Sequence, residues 1–162
     1  MASIKEQVER IVAKKAKLAN GKTIEQTLME AVDYLYECVQ SEIDAMYESY
    51  TPKVYERRPY HESLRSALYA EDFLDARIKG NSIEVSLKFS NNVWAWNFNC
   101  DHKSNVAVLM LKGWKWKNYD GEEDRFRRFN GYDFIGKGVR EFNAHNKWGV
   151  KVVWGVNTSN WY

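Results

Sequence analysis

Two stretches at the start of the chain repeat apolar residues every three or four positions, which is the spacing of amphipathic helices. The first covers residues 3–20 and ends at Asn20 and Gly21, a pair that favours a helix stop. Its apolar positions are Ile4, Val8, Ile11, Val12, Ala16 and Ala19. Through Lys22 the segment carries six Lys or Arg residues and two Glu residues. The pattern predicts a basic helix that either packs on the body or projects as an arm.

A second, longer helix is predicted to begin at Thr23 and to run to about Tyr50. Thr23 can accept a hydrogen bond from the backbone of Gln26, three residues on, as in a capping box. The apolar stripe consists of Ile24, Leu28, Ala31, Leu35, Val39 and Met46. At about 1.5 Å per residue the helix would span on the order of 40 Å. These signals predict one long amphipathic helix.

After the loop that follows this helix, the apolar period changes from about 3.6 to 2 residues, which predicts strands. Residues 82–89 alternate apolar and polar side chains after a turn at 79–81. The predicted strands lie at residues 74–79, 82–89, 93–98, 106–111 and 149–156. Residues 112–131 are rich in charge and glycine and are interpreted as a long irregular loop.

A short amphipathic helix is predicted at residues 134–145, although two glycines weaken its pattern. The order of elements predicts an α+β fold, in which long N-terminal helices pack on a mostly antiparallel sheet of about four to five strands, with a short C-terminal helix. We expect two units: a basic N-terminal helix or arm at residues 1–22, and a single α+β domain at residues 23–162.

Composition changes this picture mainly through its aromatic content. Hydrophobic residues make up 44% and charged residues 28%, as in ordinary folded proteins. The net charge of +2 argues against a uniformly basic nucleic-acid-binding protein. Aromatic residues reach 15%, with all seven tryptophans from Trp94 onward. Large aromatic residues are enriched at protein interfaces.

Neither the cysteines nor the hydropathy indicates secretion or a membrane. Cys38 falls in a helical pattern and Cys100 in a polar turn, which favours free thiols in a reducing compartment. The N-terminal residues lack the apolar core of a signal peptide. The longest strongly apolar run, residues 106–111, is too short to span a bilayer. We therefore expect a soluble protein made in the cytoplasm.

The long helix has an uneven distribution of charge. Between Thr23 and Ser49 there are seven acids and no Lys or Arg. Those that fall within an arc of about 60° opposite the apolar stripe are Glu30, Asp33, Glu37, Asp44 and Glu48. Acids three, four and seven residues apart repel one another along a helix. Two interpretations stay open: a solvated face, or a face that meets a basic partner or lines an acidic surface.

Candidate catalytic chemistry is sparse. The histidines, His61, His102 and His145, lie far apart and match no metal-ligand spacing. The sequence has no phosphate-binding glycine loop, dinucleotide fingerprint or nucleophile elbow. His61 and Glu62 lie near two arginines, as in a nuclease centre, but adjacent residues point apart and no second acidic cluster accompanies them. The sequence therefore predicts no enzymatic activity, no metal and no cofactor.

Basic and aromatic residues interleave in two neighbouring stretches. Residues 112–119 read KGWKWKNY and residues 125–129 read RFRRF. Such stretches can stack on bases and neutralise phosphates. Alternatively, the first is an edge strand followed by a loop whose acids, at 120 and 122–124, nearly cancel the local charge. This cancellation favours a protein interface with aromatic and arginine anchors over direct nucleic-acid binding.

The stretch YTPKVYERRPYHESL, residues 50–64, joins the long helix to the predicted sheet. Pro52 and Pro59 disfavour helix at the residues before them, so the stretch is predicted to be a corner. Its landmarks resemble the tail-completion (head–tail joining, or neck) proteins of tailed bacteriophages and prophages. Prophage members carry a pattern reading roughly Tyr-x-x-Tyr-x-Pro-x-x-Tyr-x-Arg, matched here by Tyr47, Tyr50, Pro52, Tyr55 and Arg57.

The resemblance continues on both sides of the predicted sheet. Leu64 and Ser66 to Leu68 follow the corner, where the family has a Leu-x-x-Ser-hydrophobic element that starts its sheet. Gly131, Phe134 and Ile135 match a Gly-x-x-Phe-hydrophobic segment that opens the family's short C-terminal helix. The chain departs from the pattern at residues 58–59, which are Arg-Pro instead of Thr-Tyr, and in its strongly charged 112–131 stretch.

The resemblance implies a non-enzymatic virion structural protein, made in the host cytoplasm and located at the neck or tail. Copies would form an oligomeric ring, as a head–tail connector or tail terminator, in contact with other phage head-connector and tail proteins and with DNA passing through the lumen; no membrane is implied. The basic arm and arginine loops of one subunit would face the acidic helix of a neighbour. The candidate contact residues are Tyr50, Tyr55, Arg57, Arg58, Trp114, Trp116, Arg125, Arg127 and Arg128. The alternative is a small phage protein that binds nucleic acid or inhibits a host defence enzyme.

Overall fold

Helices and short strand pairs alternate along the chain. The computed structural model describes residues 4–50, 63–79, 82–90, 94–96, 103–117 and 123–154. The α-helices are α1 (Ile4–Lys15), α2 (Ile24–Ser49), α3 (Val106–Lys112) and α4 (Phe134–Ala144). The strands are β1 (Leu68–Ala70), β2 (Arg77–Lys79), β3 (Ser82–Glu84), β4 (Leu87–Phe89), β5 (Trp94–Trp96), β6 (Lys103–Asn105), β7 (Trp114–Lys117) and β8 (Glu123–Phe129). The described residues form a mixed α+β fold, as predicted.

The two N-terminal helices form where the sequence predicts them. Thr23 caps α2, because its Oγ1 accepts a hydrogen bond from the Gln26 N–H at 3.1 Å and Gln26 Oε1 accepts one from the Thr23 N–H at 2.9 Å. This capping box satisfies two backbone donors left open at the helix start. α2 ends at Ser49, and the backbone of the next residue, Tyr50, is extended; α1 ends earlier than predicted, at Lys15. None of the described helices combines the length and the hydropathy that crossing a bilayer requires.

The prediction of one larger sheet is wrong for the described residues, whose strands pair only two by two. The antiparallel pairs are β1–β4, β2–β3, β5–β6 and β7–β8. β2–β3 is nested inside β1–β4, with Ile78 opposite Ile83 and Tyr69 opposite Lys88. Between β1 and β2 the Asp72 carboxylate accepts a hydrogen bond from the Leu74 N–H at 3.0 Å and caps a 3-10 turn. Local bonds of this kind compete with strand pairing, so the predicted strand 74–79 is shortened. The predicted strand 82–89 is divided into β3, which pairs with β2, and β4, which pairs with β1.

Three other stretches differ from their predicted structure. Residues 106–111, predicted as a strand, form α3, in which Ala107 and Met110 are buried about one turn apart. A short apolar run has too little periodicity to separate helix from strand. Residues 112–131, predicted as an irregular loop, contain the paired strands β7 and β8. The strand predicted at 149–156 is absent from residues 149–154, the part of that stretch that the structure describes.

The main core lies where α4 crosses α2. Its buried members are Val39, Ile43, Met46, Tyr47, Leu64, Ala67, Leu68, Ala107, Met110 and Phe134. Phe134, in the first turn of α4, meets Phe89 of β4 edge to face, with 5.9 Å between ring centroids. The helices approach closely at Gly138, where an added Cβ would lie 2.8 Å from the Cα of Val39. A glycine that weakens the helical pattern thus permits the main helix contact.

Two glycines in contact close the base of the β7–β8 hairpin. Gly113 and Gly131 both have a φ of +84°, in the left-handed region that favours glycine. A Cβ on Gly113 would lie 2.5 Å from the Phe129 carbonyl oxygen, and one on Gly131 would lie 2.8 Å from the Gly113 nitrogen. Beside them the Tyr132 N–H donates to the Met110 oxygen at 2.9 Å. The end of α3 and the approach to α4 are therefore held together.

α1 packs on the body through its polar side. The Arg10 guanidinium donates to the carbonyl oxygens of Leu74 at 2.7 Å and Ala76 at 3.0 Å. Ala13 is buried beside Phe73 and Ala76. Of the two placements that the sequence leaves open, the structure therefore has α1 packed on the body. The division of the chain at residue 22 stays a prediction.

One carboxylate beside the β1–β4 pair makes stability sensitive to acid. Glu71 accepts a hydrogen bond from Lys88 Nζ, and this contact is the main cause that lowers the pKa of Glu71 below its usual value of 4.5. A lowered folded-state pKa contributes stability that is present above the unfolded-state pKa and is lost as the pH falls through the folded-state pKa. We expect Glu71→Gln to lower the urea midpoint at neutral pH, and its difference from the parent to shrink below pH 4.5.

A matched control for this pH dependence is Glu84→Gln. Glu84 pairs with Lys79 at 2.9 Å, but both side chains are largely exposed. Exposed pairs contribute little to stability, so the urea midpoint of this variant should stay near that of the parent at every pH. A Glu71→Gln difference that is the same at neutral and acid pH would show that the Glu71 charge does not cause it.

Candidate functional site

The corner between α2 and β1 is built around Tyr47 and Leu64. Both are buried, and the Leu64 N–H donates to Tyr47 Oη at 3.3 Å. Burial is the main cause that raises the pKa of Tyr47, so the phenol stays neutral. The Arg65 guanidinium lies over the Tyr47 ring, 5.0 Å from its centroid, with Nε 2.9 Å from Asp44 Oδ1. The latter contact is an ion pair without hydrogen-bond alignment, since Nε makes no hydrogen bond to the described residues.

The contact residues predicted for this corner are only partly described. Tyr50 is half-buried at the end of α2, and its ring centroid lies 5.0 Å from that of Phe129 in β8. Tyr50 therefore links the corner to the β7–β8 hairpin within the chain. The other residues predicted for the corner lie outside the described ranges: Pro52, Tyr55, Arg57, Arg58 and Pro59.

Two acids of the predicted acidic face have partners in the same chain. Asp44 pairs with Arg65. The two oxygens of Glu30 accept hydrogen bonds from Lys22 Nζ at 2.7 and 2.6 Å, and one of them also accepts from Trp148 Nε1 at 3.3 Å. The hydrogen bond from Lys22, and after it that from Trp148, lowers the pKa of Glu30. Glu30 thus joins the start of α2 to the C-terminal segment.

The other acids of this face, Asp33, Glu37 and Glu48, are exposed on α2. They make no ion pair within the described part of the chain. Asp33 and Glu37 lie one turn apart, so their like charges stand side by side. We call these two residues the open acidic pair. The structure leaves both interpretations open, a solvated face and a face for a basic partner.

The C-terminal segment packs on α2 and α4 through Trp148. Its ring stacks on Phe142, with 5.9 Å between centroids and an interplanar angle of 11°, and lies 5.5 Å from the Tyr34 ring. Val150 and Val152 pack against the same cluster. Sequence periodicity does not reveal this anchor, because a lone tryptophan after a helix end belongs to no repeating pattern. The segment therefore packs against α2 and α4 as far as Val152.

The two basic and aromatic stretches meet in the β7–β8 pair. The cross-strand partners are Trp114 with Phe129, Lys115 with Arg128, and Lys117 with Glu123. The candidate contact residues Trp116, Arg125 and Arg127 lie on the same two strands. An edge strand was one alternative for the first stretch, whereas its pairing with the second was not predicted. The pairing places both stretches in one structural unit.

Titratable residues do not gather into a metal-binding group within the described ranges, where no cluster of three or more His, Cys, Asp and Glu could hold an ion. Burial is the main cause that raises the pKa of Cys38, which disfavours its thiolate. His145 is exposed, and its Nδ1 lies 3.3 Å from Glu141 Oε1. His61, His102 and Cys100 lie outside the described residues.

Comparison with known proteins finds no relative. The chain matches no protein-family model, no curated protein sequence and no solved structure. The resemblance to tail-completion proteins therefore rests on the short motifs of the sequence alone. Five of the motif residues are buried in the main core, so packing is sufficient to explain these matches: Tyr47, Leu64, Ala67, Leu68 and Phe134.

Proposed function

We propose that the chain is a non-enzymatic virion structural protein, whose copies form an oligomeric ring at the head–tail junction or tail terminus. The observation that carries the proposal is the separation of charge on its surface. The open acidic pair lies on α2, whereas Lys15 and Lys17, at the end of α1, are exposed and make no ion pair with any described residue. Opposite signs on two surfaces of one subunit favour head-to-tail contacts, which close into a ring when the rotation per subunit permits.

The proposed particle, a tailed phage, and the proposed location at its neck or tail rest on the short motifs that resemble tail-completion proteins. On this proposal the partners are further copies of the chain and the head-connector and tail proteins on either side of the ring. Exposed acids that lie outside the contacts between subunits, such as Glu48, would suit a lumen through which DNA passes. Like charge would keep the DNA from adhering to the wall.

Electron microscopy of the purified protein tests the proposal, with the protein alone and mixed with heads and tails from cells that carry the gene. We expect rings in solution, or added density at the neck or tail end of the particles. Asp33→Lys with Glu37→Lys reverses the open acidic pair and should abolish the rings. A protein that stays monomeric at high concentration and binds neither heads nor tails would contradict the proposal.

A second candidate, a small phage protein that binds nucleic acid or inhibits a host defence enzyme, is favoured by the β7–β8 hairpin. The hairpin pairs the backbones of the two basic and aromatic stretches, and a surface rich in basic and aromatic residues suits single-stranded nucleic acid. This candidate predicts an affinity for DNA that falls steeply with salt. It also predicts weaker binding when alanine replaces Arg125, Arg127 and Arg128 together, whereas the ring proposal requires neither result.

A further inference from the structure

α1 presents an apolar stripe to solvent. Val8, Ile11 and Val12 are 53%, 55% and 61% exposed, and their spacing of three and four residues puts them on one face. The other side of α1 carries the contacts with the body, through the Arg10 hydrogen bonds and the buried Ala13. Amphipathic helices of globular proteins ordinarily turn the apolar stripe to the core. The reverse orientation indicates a surface that another molecule covers.

The charges around the stripe favour an acidic partner surface. Lys15 continues the stripe one turn after Ile11, and Lys17 follows it; both side chains are exposed. Two α1 helices would not suit each other, because Lys5 and Lys15 flank the stripe at its two ends and would meet like charges in either orientation. The partner therefore needs an apolar surface with acids beside it.

Such a surface exists on the chain itself. The open acidic pair lies on α2, and its neighbour Tyr34 contacts Trp148 of the C-terminal segment. That segment continues to Val153 and Trp154, which are exposed apolar residues. One copy of the chain thus carries exposed acids on α2 and uncovered apolar side chains at the end of the segment that packs on α2. This combination complements an apolar stripe that ends in lysines.

We infer that α1 of one copy docks, through Val8, Ile11 and Val12, beside α2 of a second copy of this chain. Lys15 and Lys17 meet the open acidic pair, and the stripe covers the exposed end of the C-terminal segment. Donor and acceptor surfaces differ, so the contact is head-to-tail and propagates from copy to copy. This inference rests on the proposed function, because the contact would be the one that joins neighbouring subunits of the proposed ring.

The size of the contact predicts its strength. α1 has 12 residues and is therefore about 18 Å long, too short to bury alone the roughly 800 Å² per partner of a standard interface. A single contact should be weak. In a closed ring every subunit makes two such contacts, and the second forms at high effective concentration.

Charge reversal provides the decisive experiment. One variant combines Lys15→Glu with Lys17→Glu, and the other combines Asp33→Lys with Glu37→Lys. In each variant both surfaces have the same sign, so by sedimentation velocity at low salt each alone should associate roughly tenfold or more weakly than the parent. An equimolar mixture should recover association, because the acidic α1 of one variant fits the basic α2 of the other. A mixture that stays as weak as its components overturns the inference.

The apolar half of the contact has its own matched control. Val8→Ser, Ile11→Ser and Val12→Ser together should weaken association at least tenfold, whereas Leu74→Ser should leave it unchanged. Leu74 is 62% exposed, like the stripe residues, but lies outside the stripe. Circular dichroism should show the parent's helix content in both variants, because the substituted side chains are exposed. Equal association of the two variants would contradict a role for the stripe.

Cross-linking tests the contact if the association is too weak to be detected by sedimentation velocity. An equimolar mixture of isotope-labelled and unlabelled parent, treated with a carbodiimide at high concentration, should give peptides that join Lys15 or Lys17 of one copy to Asp33 or Glu37 of another. Absence of these peptides overturns the inference. A second result also overturns the inference: the parent does not self-associate but binds anionic phospholipid vesicles. In that case the variant with Lys15→Glu and Lys17→Glu loses vesicle binding, whereas the variant with Asp33→Lys and Glu37→Lys keeps it. Rings at tails with other cross-links refute this contact alone, whereas these cross-links without binding to heads or tails refute the proposed function alone.

Discussion

Replacing Phe134 by alanine should lower the free energy of unfolding by about 3–5 kcal/mol. The ring is fully buried and packs between residues of α2 and β4, including Phe89. Its removal leaves a cavity at the centre of the main core, where α2 and α4 are already in contact at Gly138 and cannot move closer. Urea unfolding at neutral pH, followed by circular dichroism and tryptophan fluorescence, measures the loss.

Two further variants make this result interpretable. Phe134→Leu keeps most of the buried volume and should cost less than about 1.5 kcal/mol, so it gives a measurable value if the alanine variant does not fold. Leu74→Ala removes an apolar side chain that is mostly exposed and should change stability little. If Phe134→Ala costs no more than Leu74→Ala, Phe134 is not at the centre of the core.

Replacing Gly138 by alanine should destabilise the protein, although the same change in an exposed helix stabilises it by about 0.5–1 kcal/mol. The added Cβ would lie 2.8 Å from both the Cα and Cγ2 of Val39 in α2. Because one of these atoms belongs to the backbone, the helices must move apart. Gly138→Val adds two more methyl groups and should cost about 2–3 kcal/mol, measured by the same urea titrations.

Ala144→Val is the matched control for this prediction. It places the same valine side chain on the exposed end of α4 and should cost no more than about 0.7 kcal/mol, the difference in helix propensity. If Gly138→Ala destabilises the protein, although a Gly→Ala change stabilises an isolated helix, the contact between α2 and α4 is the cause. Stabilisation by Gly138→Ala would instead mean that α2 and α4 do not touch at this point.

The helices were predictable where local signals agree. Thr23 and Gln26 specify the start of α2, and the apolar stripe specifies its length. α4 also forms as predicted, because Gly138 allows close contact with α2, which outweighs the low helix propensity of glycine. The sequence of α3 predicts a strand instead, because a short run of apolar residues fits either structure. The turn at residues 79–81 predicts that β2 and β3 are neighbours. The other strand pairs do not follow from local signals, since they depend on tertiary contacts and on turns such as the one that Asp72 caps.

In the candidate site too, features set by neighbouring residues in the sequence were predictable, whereas contacts between residues far apart in the sequence were not. A period of about 3.6 residues predicts that the five acids share one face of α2. It does not predict that Trp148, 118 residues away in sequence, donates to Glu30. Periodicity likewise identifies the apolar stripe of α1 but not its direction. That direction depends on Arg10, which binds carbonyl oxygens of a distant turn.

The contact between Gly113 and Gly131 holds the two ends of residues 114–129 next to each other at the base of the β7–β8 hairpin. Beside this contact, the Tyr132 N–H donates a hydrogen bond to the Met110 carbonyl oxygen and so joins the segment before β7 to the segment after β8. Changes in the sequence or length of the hairpin tip alter what the hairpin presents, while α3 and α4 continue from the same two points. New contact specificity can therefore evolve on this hairpin while Phe129 keeps its contacts with Tyr50 and the main core.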